Sequence, residues 1–87
     1  MYVILAYDIG VERIDIIRNF LKQYLNWVQN SVFEGEITKA QLYKIQGKLK
    51  SLIDKERDNI LIYTARDQRF INRLSLGTVK AEVDNIL

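Results

Sequence analysis

Tyr2-Val3-Ile4-Leu5-Ala6-Tyr7-Asp8 decides the reading of this chain, and Ile9-Gly10 comes directly after it. An unbroken apolar and aromatic run stops at a carboxylate. A helix of that length would show polar gaps at its own period, and this run has none. The run therefore predicts a central strand, buried on both faces, whose last residue is Asp8. Gly10 lets the chain turn sharply into the next element. Open α/β sheets place their chemistry at the carboxyl ends of strands, which makes Asp8 a candidate functional residue. The plainer reading is a helix cap, since Asp is a favoured cap residue. Position alone does not separate the two.

Outward from that strand, a helix is expected over Val11 to Leu25. Ile14, Ile17, Leu21 and Tyr24 recur at helical spacing, and Phe20 and Leu25 widen the stripe. Glu12 and Asp15 suit the positive end of the helix dipole. Trp27 to Ile37 is rich in Val, Phe, Trp and Ile and reads as extended, either one long strand or a bent pair of short ones, with Gly35 as a bulge or kink. Thr38-Lys39-Ala40-Gln41 matches a capping box for a helix reaching about Asp54, with Leu42, Ile45, Leu49, Leu52 and Ile53 as its core stripe. Lys44 and Lys48 form a basic row on another face. The default for such a row is a solvated surface.

Arg57-Asp58-Asn59 reads as a turn and Ile60 to Ala65 as a second buried strand. Arg66 to Arg69 is a polar connection, and Phe70 to Leu76 reads as a last strand ended by Gly77. The tail carries Val83, Ile86 and Leu87, too apolar to remain free, and a second subunit is a natural place for them to pack. This order points to an α+β sandwich of the ferredoxin-like kind, with both helices on one sheet face. The bare face needs a cover, and a second copy of the chain is the simplest one.

Composition narrows the chemistry. The chain has 87 residues, 48% of them hydrophobic, with no cysteine and no histidine. That is one small domain with a real core. Disulfides, thiolate zinc sites, cysteine nucleophiles and histidine bases are excluded. Any resident metal must be held by oxygen, which favours magnesium, manganese or calcium. A net charge of +2 is weak evidence for nucleic acid by itself. No secretory signal or membrane span is evident, so the expected location is cytoplasmic.

Taken together, Tyr7-Asp8-Ile9, the string Val28-Gln29-Asn30-Ser31-Val32-Phe33-Glu34-Gly35 and the capped helix at Thr38-Lys39-Ala40-Gln41-Leu42 resemble the Cas-two family of CRISPR-associated proteins. The resemblance covers nearly the whole chain. It implies a ferredoxin-like βαββαβ sandwich, with a core over residues 1–77. It further implies a homodimer in which residues 78–87, carrying Val83, Ile86 and Leu87, add a strand to the partner's sheet. The implied role is CRISPR spacer acquisition beside the Cas-one integrase, as a scaffold on duplex DNA. An endonuclease activity on single-stranded RNA or duplex DNA is implied as well. Asp8 from both subunits would then hold magnesium, with manganese as the alternative, and Tyr7, Ser31 and Phe33 match positions beside that site. Candidate nucleic-acid contacts are Arg13, Arg18, Lys44, Lys48, Arg66, Arg69 and Arg73. Trp27 stands where many relatives carry an arginine, and an aromatic ring cannot clamp a phosphate as a guanidinium does. Two other classes stay in view: a non-catalytic nucleic-acid-binding dimer, and a ferredoxin-like dimer that binds a small regulatory ligand.

Overall fold

A computed structural model describes residues 1–77. The run that opens the chain forms β1, Tyr2–Asp8, at an interior position of a four-stranded antiparallel sheet. The other strands are β2, Asn26–Gln29, β3, Val32–Glu36, and β4, Asn59–Ala65, in the spatial order β2-β3-β1-β4. Two helices, α1 at Ile14–Leu21 and α2 at Lys39–Leu52, complete the ferredoxin-like α+β sandwich.

Strand alternation sorts the sheet into two faces. Val3, Leu5 and Tyr7 of β1 and Phe33 of β3 meet Ile17 and Leu21 of α1 and Ile45 and Leu49 of α2 in one core. Tyr2, Ile4, Ala6 and Asp8 lie on the other side of β1. There β4 sets Tyr63 opposite Ile4 and Leu61 opposite Ala6, both more than half exposed. Among the described residues of one chain, β1 is thus fully covered on one face only, where the sequence predicts burial on both.

The α2 cap forms as its sequence requires. Thr38 Oγ1 accepts from the Gln41 backbone N–H at 3.1 Å, and the Gln41 side chain accepts from the Thr38 N–H at 2.9 Å. The first helix is shorter than expected. Val11–Arg13 is a single 3-10 turn, α1 ends at Leu21, and Tyr24 and Leu25 fall in the turn beyond. Tyr24 and Leu25 still pack on the core, so the apolar stripe outlasts the helix.

Trp27 to Ile37 is a hairpin. Asn30 takes φ of 39°, a left-handed conformation that asparagine tolerates, and Asn30-Ser31 turns the chain. The bulge lies in β2 between Trp27 and Gln29 rather than at Gly35. Gly35 serves close packing instead: a Cβ there would sit 3.3 Å from Leu25 Cδ2.

Phe70 to Leu76 is not a strand. Asp67 caps a 3-10 turn at Gln68–Phe70, accepting from the Arg69 backbone N–H at 2.8 Å. Ile71 is extended, but no strand of the described residues pairs with the segment beyond it. A strand needs a ladder partner as well as an alternating pattern. The segment crosses the open face, where Arg73 pairs with the buried Glu34 of β3, and Leu74 and Leu76 remain almost fully exposed. The expected exchange strand, with Val83, Ile86 and Leu87, lies outside the described residues. Among the described residues no helix is long and apolar enough to cross a membrane.

Candidate functional site

Asp8 is the one sequence-predicted site residue that ends on the open face at the end of β1. It is exposed, and its backbone pairs with Asn59 of β4. It caps nothing: the 3-10 turn begins behind Gly10 and α1 behind Arg13, neither with a side-chain cap. Among the described residues no group donates a hydrogen bond to its carboxylate. Ala6, Tyr7, Asn59 and Leu61 join it in lining a shallow cleft of about 260 Å³. The helix-cap reading of Asp8 is thereby set aside.

Tyr7 borders the Asp8 cleft, while its ring and that of Phe33 turn to the helix side of the sheet. Both side chains lie in the core on the helix side, their ring centroids 6.3 Å apart. The Tyr7 hydroxyl accepts from Arg18 Nε at 2.7 Å and donates to the Asn30 carbonyl at 3.3 Å. Ser31 stands beside the same strand end through its backbone, where its carbonyl accepts from the Tyr7 N–H at 3.0 Å. Glu34 lies opposite Ile4, four residues back along β1, roughly 13 Å from Asp8 at the rise of an extended chain. It is engaged with Arg73 and does not join Asp8.

The candidate basic residues divide by what holds them. Arg18 is drawn into the hairpin tip. Its Nη2 donates to the Asn30 carbonyl at 3.1 Å, and its guanidinium lies 4.7 Å from the centre of the Trp27 ring. The Trp27 indole N–H donates to that same carbonyl at 2.9 Å, and Lys22 Nζ lies 5.1 Å from the ring. Trp27, for all that it cannot bind phosphate as arginine would, gathers two cations at this corner. Arg69 is engaged with Asp67 and Arg73 with Glu34. Arg66 lies 5.4 Å from the Phe70 ring. Lys44 and Lys48 are exposed on α2 and make no ion pair among the described residues.

Sequence reasoning gives Asp58 no role beyond a turn, yet it is the most heavily bonded carboxylate of the described chain. Its side chain is shut off from solvent. It accepts from Arg13 Nε at 2.5 Å, Arg13 Nη2 at 2.8 Å, the Gly10 N–H at 2.9 Å and the Asp54 N–H at 2.8 Å. Arg13, expected to meet nucleic acid, is spent on this pair and on Glu12. The sequence around Arg13 offers no signal for this, because the partner is 45 residues away.

The Arg13 guanidinium, followed by the Asp54 and Gly10 amides, holds the Asp58 carboxyl well below its ordinary value of 3.8. A carboxyl depressed in the folded state stabilises the fold above its unfolded value, and that contribution fades as pH falls through and below about 4. The melting temperature of the chain is therefore expected to exceed that of Asp58→Asn at pH 7 by on the order of 10 °C. The gap narrows steadily between about pH 5 and pH 2. A gap that stays constant over this range, in melting curves followed by circular dichroism, counts against the pair.

The fold and site define a class: a ferredoxin-like α+β domain with, among the described residues, one sheet face largely open and an unengaged aspartate at the end of an interior strand. The family model described as "CRISPR associated protein Cas2" matches residues 1–73, and the chain belongs to that family. It is 52% identical over 87 residues to "CRISPR-associated endoribonuclease Cas2" of Methanosarcina acetivorans, covering 100% of both chains. The protein of the same name from Pyrococcus furiosus is 44% identical over 87 residues, again with 100% of both covered. A solved structure titled "Crystal structure of cas2" superposes with a TM-score of 0.83 at 44% identity, over 93% of this chain and 91% of that one. Streptococcus pyogenes Cas2 at pH 6.5 gives a TM-score of 0.73 at 31% identity, over 86% and 100%.

Proposed function

We propose that this chain acts in CRISPR spacer acquisition as a homodimer. In this reading it cuts phosphodiester bonds in a metal-dependent way through Asp8, and it holds duplex DNA beside the Cas-one integrase in the cytoplasm. The naming of its relatives as endoribonucleases supports the hydrolytic half. The observation that carries it is Asp8 itself: an exposed carboxylate, engaged by no hydrogen bond or ion pair among the described residues, at the end of an interior strand.

The donor chemistry fits a hard cation. Magnesium keeps several waters and is held by one or two carboxylates. Among the described residues no three candidate ligands come together; in this reading Asp8 from each of two copies would hold the ion. The chemistry such an ion would supply is a bound water of lowered pKa and a polarised phosphate. The chain's own part is to present Asp8 on a stiff strand. It also leaves the neighbouring cleft of Ala6, Tyr7, Asn59 and Leu61 open to a substrate.

A scaffold role draws on a separate observation. From Lys39 to Leu52, α2 carries no acidic residue, and Lys44 and Lys48 stand exposed on its surface. Lysines so placed meet phosphates without reading sequence, and such binding weakens with salt. The test is a cleavage and retention assay. Labelled single-stranded RNA and duplex DNA are given to the purified chain with and without magnesium or manganese, at about 50 mM and about 200 mM salt. Metal-dependent cutting is expected, together with duplex retention that falls at least about tenfold at the higher salt. Retention without cutting in any metal removes the nuclease half and leaves the scaffold.

A further inference from the structure

We propose that Asp58 is a positioning residue for Asp8, acting through Arg13 and Gly10 to fix the loop that leaves β1. This rests on the reading of Asp8 as a metal-linked carboxylate. The geometry forms a closed ring. Asp8 pairs with Asn59 across the β1–β4 ladder. One residue before Asn59, Asp58 takes the N–H of Gly10, two residues after Asp8. The backbone on both sides of Ile9 is thereby pinned to the start of β4.

Arg13 closes the ring from the far side. Its guanidinium meets both Asp58 oxygens, and its Nη1 reaches Glu12 Oε2 at 3.1 Å. The same Glu12 oxygen accepts from Arg57 Nη2 at 3.1 Å, so the 3-10 turn and the α2–β4 turn are joined twice. Gly10 belongs to this device. Its φ of −60° and ψ of 143° are open to any residue, so the sharp turn does not require glycine. What requires it is Arg13: a Cβ at position 10 would lie 2.5 Å from Nη2. The guanidinium cannot swing aside without leaving Asp58. A merely structural ion pair needs no contact with the loop beyond Asp8. This one spends a buried carboxylate oxygen on the Gly10 amide.

Groups hydrogen-bonded to a metal ligand set its orientation, and losing one costs about 10–100-fold in metal affinity; Asp58 acts one step back, on the backbone beyond Asp8, so the low end of that range applies. The experiment compares the unsubstituted chain with Asp58→Asn, Arg13→Lys and Gly10→Ala, using those variants whose circular dichroism at room temperature matches. Manganese binding is read by electron paramagnetic resonance of the free ion, the Gly10 amide by hydrogen exchange, and cleavage alongside. The expected result is roughly tenfold weaker manganese binding in each folded variant. Gly10 should exchange faster while the amides of β3 keep their protection. Faster Gly10 exchange with unchanged manganese binding and unchanged cleavage would overturn the positioning role and leave Asp58 a staple. An unsubstituted chain that neither binds manganese nor cuts overturns the reading of Asp8, and the positioning role falls with it. Should Asp58→Asn fail to fold, Arg13→Lys and Gly10→Ala decide, since both keep the Asp58 carboxylate.

Discussion

Replacing Asp8 with alanine is expected to lower metal-dependent cleavage by at least about 100-fold while leaving the melting temperature within a few degrees of the parent. The second half of that statement comes from the structure. The side chain is exposed, caps no helix and accepts no hydrogen bond among the described residues. Its ladder with Asn59 runs through the backbone, which alanine keeps. Duplex retention is expected to persist in the variant, because Lys44 and Lys48 lie on α2, in the other layer of the sandwich. The measurement is a time course of RNA and duplex cleavage beside a melting curve for both chains. Cleavage equal in the two would place the chemistry elsewhere. A drop of about ten degrees or more in the melting temperature would give Asp8 a structural duty that this geometry does not provide.

Phe33→Ala is expected to lose activity as well, for a different reason. Phe33 is fully shut off from solvent, faces Leu5 across the β1–β3 ladder and packs with Tyr7. Truncating a buried phenylalanine costs about 3–5 kcal/mol. Small domains hold only about 5–15 kcal/mol in total, so much of the stability would go. Phe33→Leu keeps most of the volume and costs under about 1.5 kcal/mol. Urea unfolding with cleavage measured at each concentration separates packing from chemistry. In both variants activity should track the folded fraction, with Phe33→Leu near the parent in the absence of urea. A folded Phe33→Leu chain that cuts nothing would put the ring in the reaction after all.

These two residues show where the sequence is legible. Strand alternation, read from Tyr2 onward, places Asp8 and Phe33 on opposite faces once the strands are known. The order of elements yields the ferredoxin-like sandwich because each element carries its own local signal: an unbroken apolar run for β1, a capping box for α2. The hairpin is hidden because Asn30-Ser31 is a weaker turn signal than asparagine followed by glycine. Phe70 to Leu76 misleads because alternation shows which side chains share a face and says nothing of whether a partner strand exists. Asp58 is missed for a third reason. Its four donors come from Gly10, Arg13 and Asp54, and only the fold brings them to one carboxylate.

Trp27 has a practical consequence. It is the only tryptophan in the chain, and its ring sits at the hairpin tip with the Arg18 and Lys22 cations 4.7 and 5.1 Å from its centre. Indole emission responds to nearby charge, so the protein carries a built-in optical reporter at that corner. Displacement of Lys22 by an anion and release of the indole N–H from the Asn30 carbonyl alter its surroundings in different ways. Unlabelled emission can therefore follow a change at the hairpin corner in the intact chain.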